Sequence, residues 1–208
     1  MTPQVRPFGE SAFLVELGDT FDEALAGRAR ALADRWDLGF TIPAYASLVL
    51  GFDANVVGAE RAERRIEELL VAGAAVSAAQ PSARVVDIPI RYDGADLADV
   101  AEMSGMSTDE LVAAHSGRVY VAFFLGFLPG FAYCGRLDPR IKAPRLERPR
   151  ERVAPGTVAV ADGQTGIYPF QSAGGWRLIG STDAVMFDPA REQPSLLRAG
   201  DRVRFVRR

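Results

Sequence analysis

The stretch that most constrains this chain is VYVAFFLGFLPGFAYCG, residues 119–135. It carries no charge, four phenylalanines and two tyrosines. A membrane-spanning helix needs about 20 apolar residues. This run is shorter, is broken by Gly126, Pro129 and Gly130, and is bounded by Arg118 and Arg136, so it is not read as a membrane span. Residues 119–125 read as a barrel strand. Pro129 has no amide to donate and Gly130 marks a turn, so the chain is expected to leave the sheet while still aromatic. Phe127, Leu128, Phe131 and Tyr133 then either plug a core or wall a ligand or partner site. The expectation is a wall over 126–135. On that reading, replacing Phe127 and Phe131 with serine breaks partner binding and leaves the fold intact.

The segment RLDPRIKAPRLERPRER, residues 136–152, has prolines at 139, 144 and 149. Such spacing forbids helix and ladder pairing and predicts an extended loop. Arg145 and Arg150 each follow a proline, and an arginine fork suits a carboxylate or phosphate.

Around these segments the chain reads as two parts. Residues 4–17 read as a hairpin, 46–52 and 84–91 as strands, and 58–71 as an amphipathic helix. A further helix is capped at Asp19 or Thr20, with Phe21, Leu25, Ala29, Leu32 and Trp36 on its stripe. Beyond these come two short helices, 96–103 and 108–115, the second opened by a Ser107/Glu110 capping box. Short strands follow at 118–125, 157–161, 166–170, 176–180, 184–187 and 202–206. The predicted fold is a small α+β, ferredoxin-like domain over 1–83, then a mainly-β barrel over 84–208. Charge shifts at the same place. Residues 1–83 hold 7 arginines against 12 acids, whereas 84–208 hold 17 basic and 15 acidic residues.

The net charge of −3 speaks against nucleic-acid binding by the chain as a whole. A single cysteine, Cys134, excludes an internal disulfide, and the opening residues lack a secretory pattern. A cytoplasmic location is the expectation. No GxxxxGK[ST] loop and no metal-ligand cluster occurs. His115, the only histidine, is either a helix-end cation or a general base. Cys134 reads as a small buried residue.

Four ordered motifs then carry a resemblance: HSGRVYVAFFLGFLPGFAYCG (115–135), APRLERPRERVAPGTVAVA (143–161), QTGIYPFQSAGGWRLIGST (164–182) and LRAGDRVRF (197–205). Together they resemble the B subunit of the bacterial ATP-dependent 5-oxoprolinase. That family is also known as allophanate hydrolase subunit 1, as a sporulation histidine kinase inhibitor, and as a relative of the urea carboxylase carboxyltransferase region. The family's Ser-Pro-Gly-Gly-Trp reads Ser172-Ala173-Gly174-Gly175-Trp176 here. The resemblance implies a cyclophilin-like barrel, a homologous C subunit and an A subunit as partners, a small amide substrate, and ATP bound by the complex. The candidate catalytic residues are His115 and Tyr120. The candidate substrate- or partner-binding residues are Phe127, Pro129, Phe131, Tyr133, Arg145, Arg150, Gln164, Tyr168, Ser172, Gly174, Gly175 and Trp176. No metal is expected. Alternatives are an allophanate hydrolase or urea carboxylase component, and a regulator docked on a sensor histidine kinase.

Overall fold

The structure is a computed structural model that describes residues 2–19, 23–73 and 84–208. The chain divides into two compact units, Met1–Ser82 and Ala83–Arg208. Thr20, Phe21 and the Gln80-Pro81-Ser82 stretch, where a helix cap and a domain boundary were expected, lie outside the described residues.

In the first unit, β1 (Gln4–Pro7) and β2 (Ala12–Glu16) form the expected hairpin. β3 (Thr41–Pro43), β4 (Ser47–Gly51), α1 (Glu23–Ala33) and α2 (Ala59–Gly73) complete it. The sheet runs β1-β2-β4-β3 with every pair antiparallel. Helical periodicity places Ala29 and Leu32 of α1 and Ala62, Ile66 and Leu69 of α2 in one core with Val15, Leu48 and Leu50. Trp36 lies past the end of α1 rather than on it, and its indole donates to the Gly51 carbonyl at 2.7 Å. A ferredoxin-like chain runs β-α-β-β-α-β. This unit runs β-β-α-β-β-α, so β1, rather than a strand after the second helix, takes the outer place beside β2.

The second unit is built on a seven-stranded sheet. Its elements in chain order are β5 (Val85–Ile90), α3 (Leu97–Met103), α4 (Thr108–Ser116), β6 (Val119–Leu125), β7 (Ala132–Gly135), β8 (Arg150–Val153), β9 (Thr157–Ala161), β10 (Gln164–Ile167), β11 (Ser172–Gly174), β12 (Arg177–Ser181) and β13 (Arg202–Arg207). The sheet order is β12-β9-β10-β7-β6-β13-β5, and only β13 and β5 run parallel. The sheet curls until its two edges meet: the Arg91 and Ser181 amides each donate to the other's carbonyl, at 2.9 and 2.8 Å. β8 and β11 form a separate two-stranded ribbon. The capping box is present, with the Glu110 amide donating to Ser107 Oγ and the Ser107 amide to the Glu110 carboxylate.

The uncharged stretch folds back on itself. β6 and β7 pair antiparallel, with a bulge at Phe123 between Ala122 and Phe124. Only residues 126–131 form the turn. The expectation that 126–135 leaves the sheet is corrected here, because Pro129 sits inside the turn and Ala132–Gly135 re-enters the ladder between β6 and β10. The Arg-Pro segment forms neither helix nor strand up to Arg150, where β8 begins, but it is not extended throughout, since the Ile141 amide donates to the Asp138 carbonyl at 2.9 Å in a turn. Residues 184–187 form no strand, and Phe187 makes one isolated bridge to Ser195.

Period-two alternation assigns each strand two faces. Ala132 and Cys134 of β7, Val158 and Val160 of β9 and Ile167 of β10 enter the main core with Ile88, Tyr120, Val203 and Phe205. Ala159 and Ala161 point the other way, into a second cluster with Phe131, Val153, Tyr168 and Trp176. β9 is therefore buried on both faces, which is why TVAVA reads as an unbroken apolar run.

Candidate functional site

On that opposite face the sheet presents small residues beside Tyr133 of β7, and the loops supply the other large ones. A Cβ on Gly166 would come within 2.9 Å of the Phe131 ring and 3.2 Å of Trp176, so glycine there lets the rings lie against the strand. Phe131 is the hub. Its ring centroid is 5.0 Å from Tyr133, 5.4 Å from Tyr168 and 5.5 Å from Trp176, all edge to face. Such geometry sets the positive edge of one ring against the negative face of another. Burial raises the phenol pKa of both Tyr133 and Tyr168, so both stay neutral.

Above these rings lies a cleft of about 310 Å³, lined by Phe127, Phe131, Tyr133, Arg145, Leu146, Pro149, Tyr168, Ala173, Gly174, Gly175 and Trp176. One wall is the ribbon and its flanking loop, fastened where the Leu146 amide donates to the Gly175 carbonyl at 2.8 Å. Gly174 is required by packing, since a Cβ there would collide with the Tyr168 hydroxyl.

Phe127 forms the rim. The Leu128 amide donates to the Gly126 carbonyl at 2.8 Å, closing a γ-turn around Phe127, whose φ is +69°. This left-handed γ-turn is rare and strained for a bulky residue. Phe127 is nonetheless 59% exposed, with its ring 5.6 Å from that of Phe131. Backbone strain of this kind gathers at binding sites, where the surrounding structure holds it.

Among the described residues Arg145 is the one charged residue lining the cleft. Its guanidinium carbon stands 6.0 Å from the centre of the Trp176 ring, within cation–π range. Its Nε donates to Asp162 Oδ2 at 3.0 Å in an exposed pair, an interaction that contributes little to stability.

The structure separates the residues singled out in the sequence. Phe127, Phe131, Tyr133, Arg145, Tyr168, Gly174, Gly175 and Trp176 come together around the cleft, whereas His115, Tyr120, Pro129, Arg150, Gln164 and Ser172 do not line it. Phe131 is only 2% exposed, so it is a packing residue, and its replacement by serine cannot leave the fold intact. Gln164 Oε1 and Ser172 Oγ are buried with no hydrogen-bond partner among the described residues.

Arg150 is occupied within the chain. Its Nη2 donates to Asp96 Oδ1 at 2.6 Å, while Asp96 Oδ2 accepts from the Leu178 amide at 2.6 Å. Asp96 is nearly buried, so this pair fastens the start of β8 to β12, and Arg150 is not an open anion clamp.

His115 is wholly buried in the main core. Burial pushes its pKa down to about 3, so it is neutral, and the helix-end cation reading is corrected. Thr165 Oγ1 donates to the Ala159 carbonyl at 3.1 Å and so accepts from His115 Nε2 at 3.0 Å. His115 Nδ1 then accepts from the Tyr92 hydroxyl at 2.8 Å. The Tyr120 hydroxyl donates to the His115 carbonyl at 2.7 Å. The ring nitrogens are both engaged. Burial likewise raises the Cys134 thiol to about 12, consistent with an unreactive core residue.

Leu146, Pro149 and Ala173 line the cleft without having been singled out. Pro149 was legible only as a helix breaker, and the apolar Leu146 between two arginine-bearing flanks is the signal that it faces inward. Among the described residues no group of three or more His, Cys, Asp or Glu side chains gathers to hold a metal, and no helix is long and apolar enough to cross a membrane.

With this geometry in place, comparisons with known proteins are consistent. The family profile described as "Carboxyltransferase domain, subdomain C and D" matches residues 3–197. The 5-oxoprolinase B subunit of Bacillus subtilis (strain 168) is 36% identical over 223 residues, covering 98% of this chain and 92% of that protein. The crystal structure of TTHA0988 superposes with a TM-score of 0.83 at 39% identity, covering 95% of this chain but only 39% of the longer TTHA0988 chain. The Kluyveromyces lactis urea carboxylase shares the fold at 18% identity and a TM-score of 0.79, over 99% of this chain and 22% of its own. The chain belongs to the family of 5-oxoprolinase B subunits, within the carboxyltransferase-domain proteins.

Proposed function

We propose that this chain is the B subunit of an ATP-dependent 5-oxoprolinase. With the C and A subunits it converts 5-oxo-L-proline, ATP and water to L-glutamate, ADP and phosphate. The observation that carries this reading is a cleft that is built but chemically incomplete. It has an aromatic lining and one guanidinium, while the only histidine is sealed elsewhere in the core.

A lactam is a poor electrophile. Transfer of the γ-phosphoryl group to the lactam oxygen makes that oxygen a leaving group. Water then adds at the same carbon, expulsion of the ring nitrogen opens the ring to an acyl phosphate, and a second water displaces phosphate to give the carboxylate of the amino acid. These steps need positioned anion clamps and an acid–base group. One arginine does not cradle a triphosphate, and the sequence has no phosphate-binding loop, so we assign ATP to the complex, with partner subunits supplying those groups. This chain's share is apolar enclosure, which excludes water and strengthens the electrostatics of a shared site.

The test is ATP-dependent glutamate release from 5-oxoproline, assayed with this chain alone and then with its C and A subunits. Activity only in the three-part mixture is expected. Inactivity with all three folded and associated turns the reading toward another small amide or toward kinase regulation.

A further inference from the structure

We infer that the aromatic cleft is itself a ligand site, and that it takes a planar five-membered ring bearing one carboxylate. The ring lies among Trp176, Tyr133 and Phe127, and the carboxylate on Arg145. The five-membered ring and the choice of 5-oxo-L-proline as first probe rest on the function proposed above; a small ring bearing one carboxylate rests on the cleft.

Three observations point this way. The first is the charge at the rim. Arg145 lends only Nε to Asp162, and its two terminal nitrogens make no hydrogen bond to the described residues. Terminal guanidinium nitrogens form a fork matched to a carboxylate. A single cation suits one carboxylate better than a dianionic phosphate.

The second is Gly175. Its backbone does not need glycine, because its φ is not left-handed, and neither does its packing. A Cβ there would meet nothing closer than Pro149 Cγ at 3.7 Å, with the Leu146 carbonyl oxygen at 3.8 Å. Both neighbours line the cleft. The absent side chain keeps the cleft open, in contrast to Gly174, whose missing Cβ makes room for Tyr168.

The third is the rim itself. The strained turn holds the Phe127 ring exposed beside the cleft instead of folding it into the cluster. The volume of about 310 Å³ lies at the small end of ligand pockets, about 300–1,000 Å³, which suits a single ring.

The experiment is calorimetric titration of the full chain with 5-oxo-L-proline, furan-2-carboxylate and 2-pyrrolidinone, paired with 5-oxoproline kinetics of the reconstituted complex. Both carboxylates are expected to bind, and pyrrolidinone to bind about 10-fold more weakly. Arg145→Leu should weaken the carboxylates by about 10-fold and leave pyrrolidinone unchanged. Gly175→Val should abolish binding of all three with an unchanged urea midpoint, and should raise KM in the complex. Carboxylate binding or KM indifferent to Gly175→Val overturns the proposal, as does the absence of both binding and a KM effect. If the complex hydrolyses 5-oxoproline with a KM indifferent to Gly175→Val, the function stands and the cleft assignment falls. If the complex is inactive but furan-2-carboxylate binding depends on Gly175 and Arg145, the cleft assignment stands and the function falls.

Discussion

Two aromatic clusters occupy opposite faces of the same curled sheet, and they differ in what their polar groups have left to offer. Around His115 the rings of Phe205, Tyr120 and Tyr92 stand 4.6, 5.4 and 5.7 Å away. Both imidazole nitrogens and the Tyr120 hydroxyl have partners inside the fold. Around Phe131 the rings pack as closely, but Arg145 keeps its terminal nitrogens open and Phe127 stays in solvent. The first cluster holds the residue type most often used in catalysis and spends it on structure. The second has no general base and keeps room for a ligand. Chemical versatility therefore does not mark the site; unspent capacity does.

That contrast breaks most visibly through pH. The folded His115 has a pKa of about 3, against an ordinary 6.5. Between these values the unfolded chain binds a proton that the folded chain refuses, so stability rises with pH across the window. His115's share is fully present above the unfolded pKa and is lost as pH falls toward 3. Its size is on the order of 4–5 kcal/mol. Urea unfolding from pH 7 to pH 4 should show a steep loss for the natural chain. A shallower one is expected for His115→Gln, which carries no titrating ring. Equal slopes would mean that the histidine titrates freely and the closed network is not closed.

Next in size is the hub of the outer cluster. Phe131→Ser removes a buried ring that touches four others, at a cost of about 3–5 kcal/mol. Phe131→Leu should cost about 1 kcal/mol, since it keeps most of the volume. The urea midpoint of each variant checks this. A loss below about 1 kcal/mol for serine would show the outer cluster to be loosely packed.

How much of this was legible beforehand follows from which interactions are local. The capping box at Ser107 and Glu110 and the apolar period of 58–71 are local, and both read correctly from spacing. β7 was missed because Pro129 and Gly130 masked a strand only four residues long that starts at Ala132, two residues after Gly130. β8 was missed because three prolines argue against pairing, and its partner β11 is itself three residues long. The assignment of Arg150 to an anion depended on not knowing that Asp96, 54 residues away, reaches it first. The aromatic stretch divides for a physical reason. Composition shows that a loop must bury or present its rings, whereas register decides which, and it buried Phe131 and left Phe127 out.

Phe127 gives the smallest and most discriminating effect. Its φ of +69° disfavours any side chain with a Cβ, and a strained residue of this kind costs about 1–3 kcal/mol. Phe127→Gly relieves that strain and forfeits the edge contacts with Phe131 and Tyr168, at centroid distances of 5.6 and 6.3 Å. The two changes oppose each other, so stability should move by less than about 1 kcal/mol in either direction. Ligand affinity or activity of the complex should fall, because the exposed ring contributes to the rim. Paired urea unfolding and 5-oxoproline titration separate the outcomes. A stable variant with lost binding makes Phe127 part of the site. A variant that loses about 3 kcal/mol, in the range of a buried phenylalanine, makes the strained turn a structural joint of the β6–β7 hairpin, and the two clusters would then differ in exposure but not in purpose.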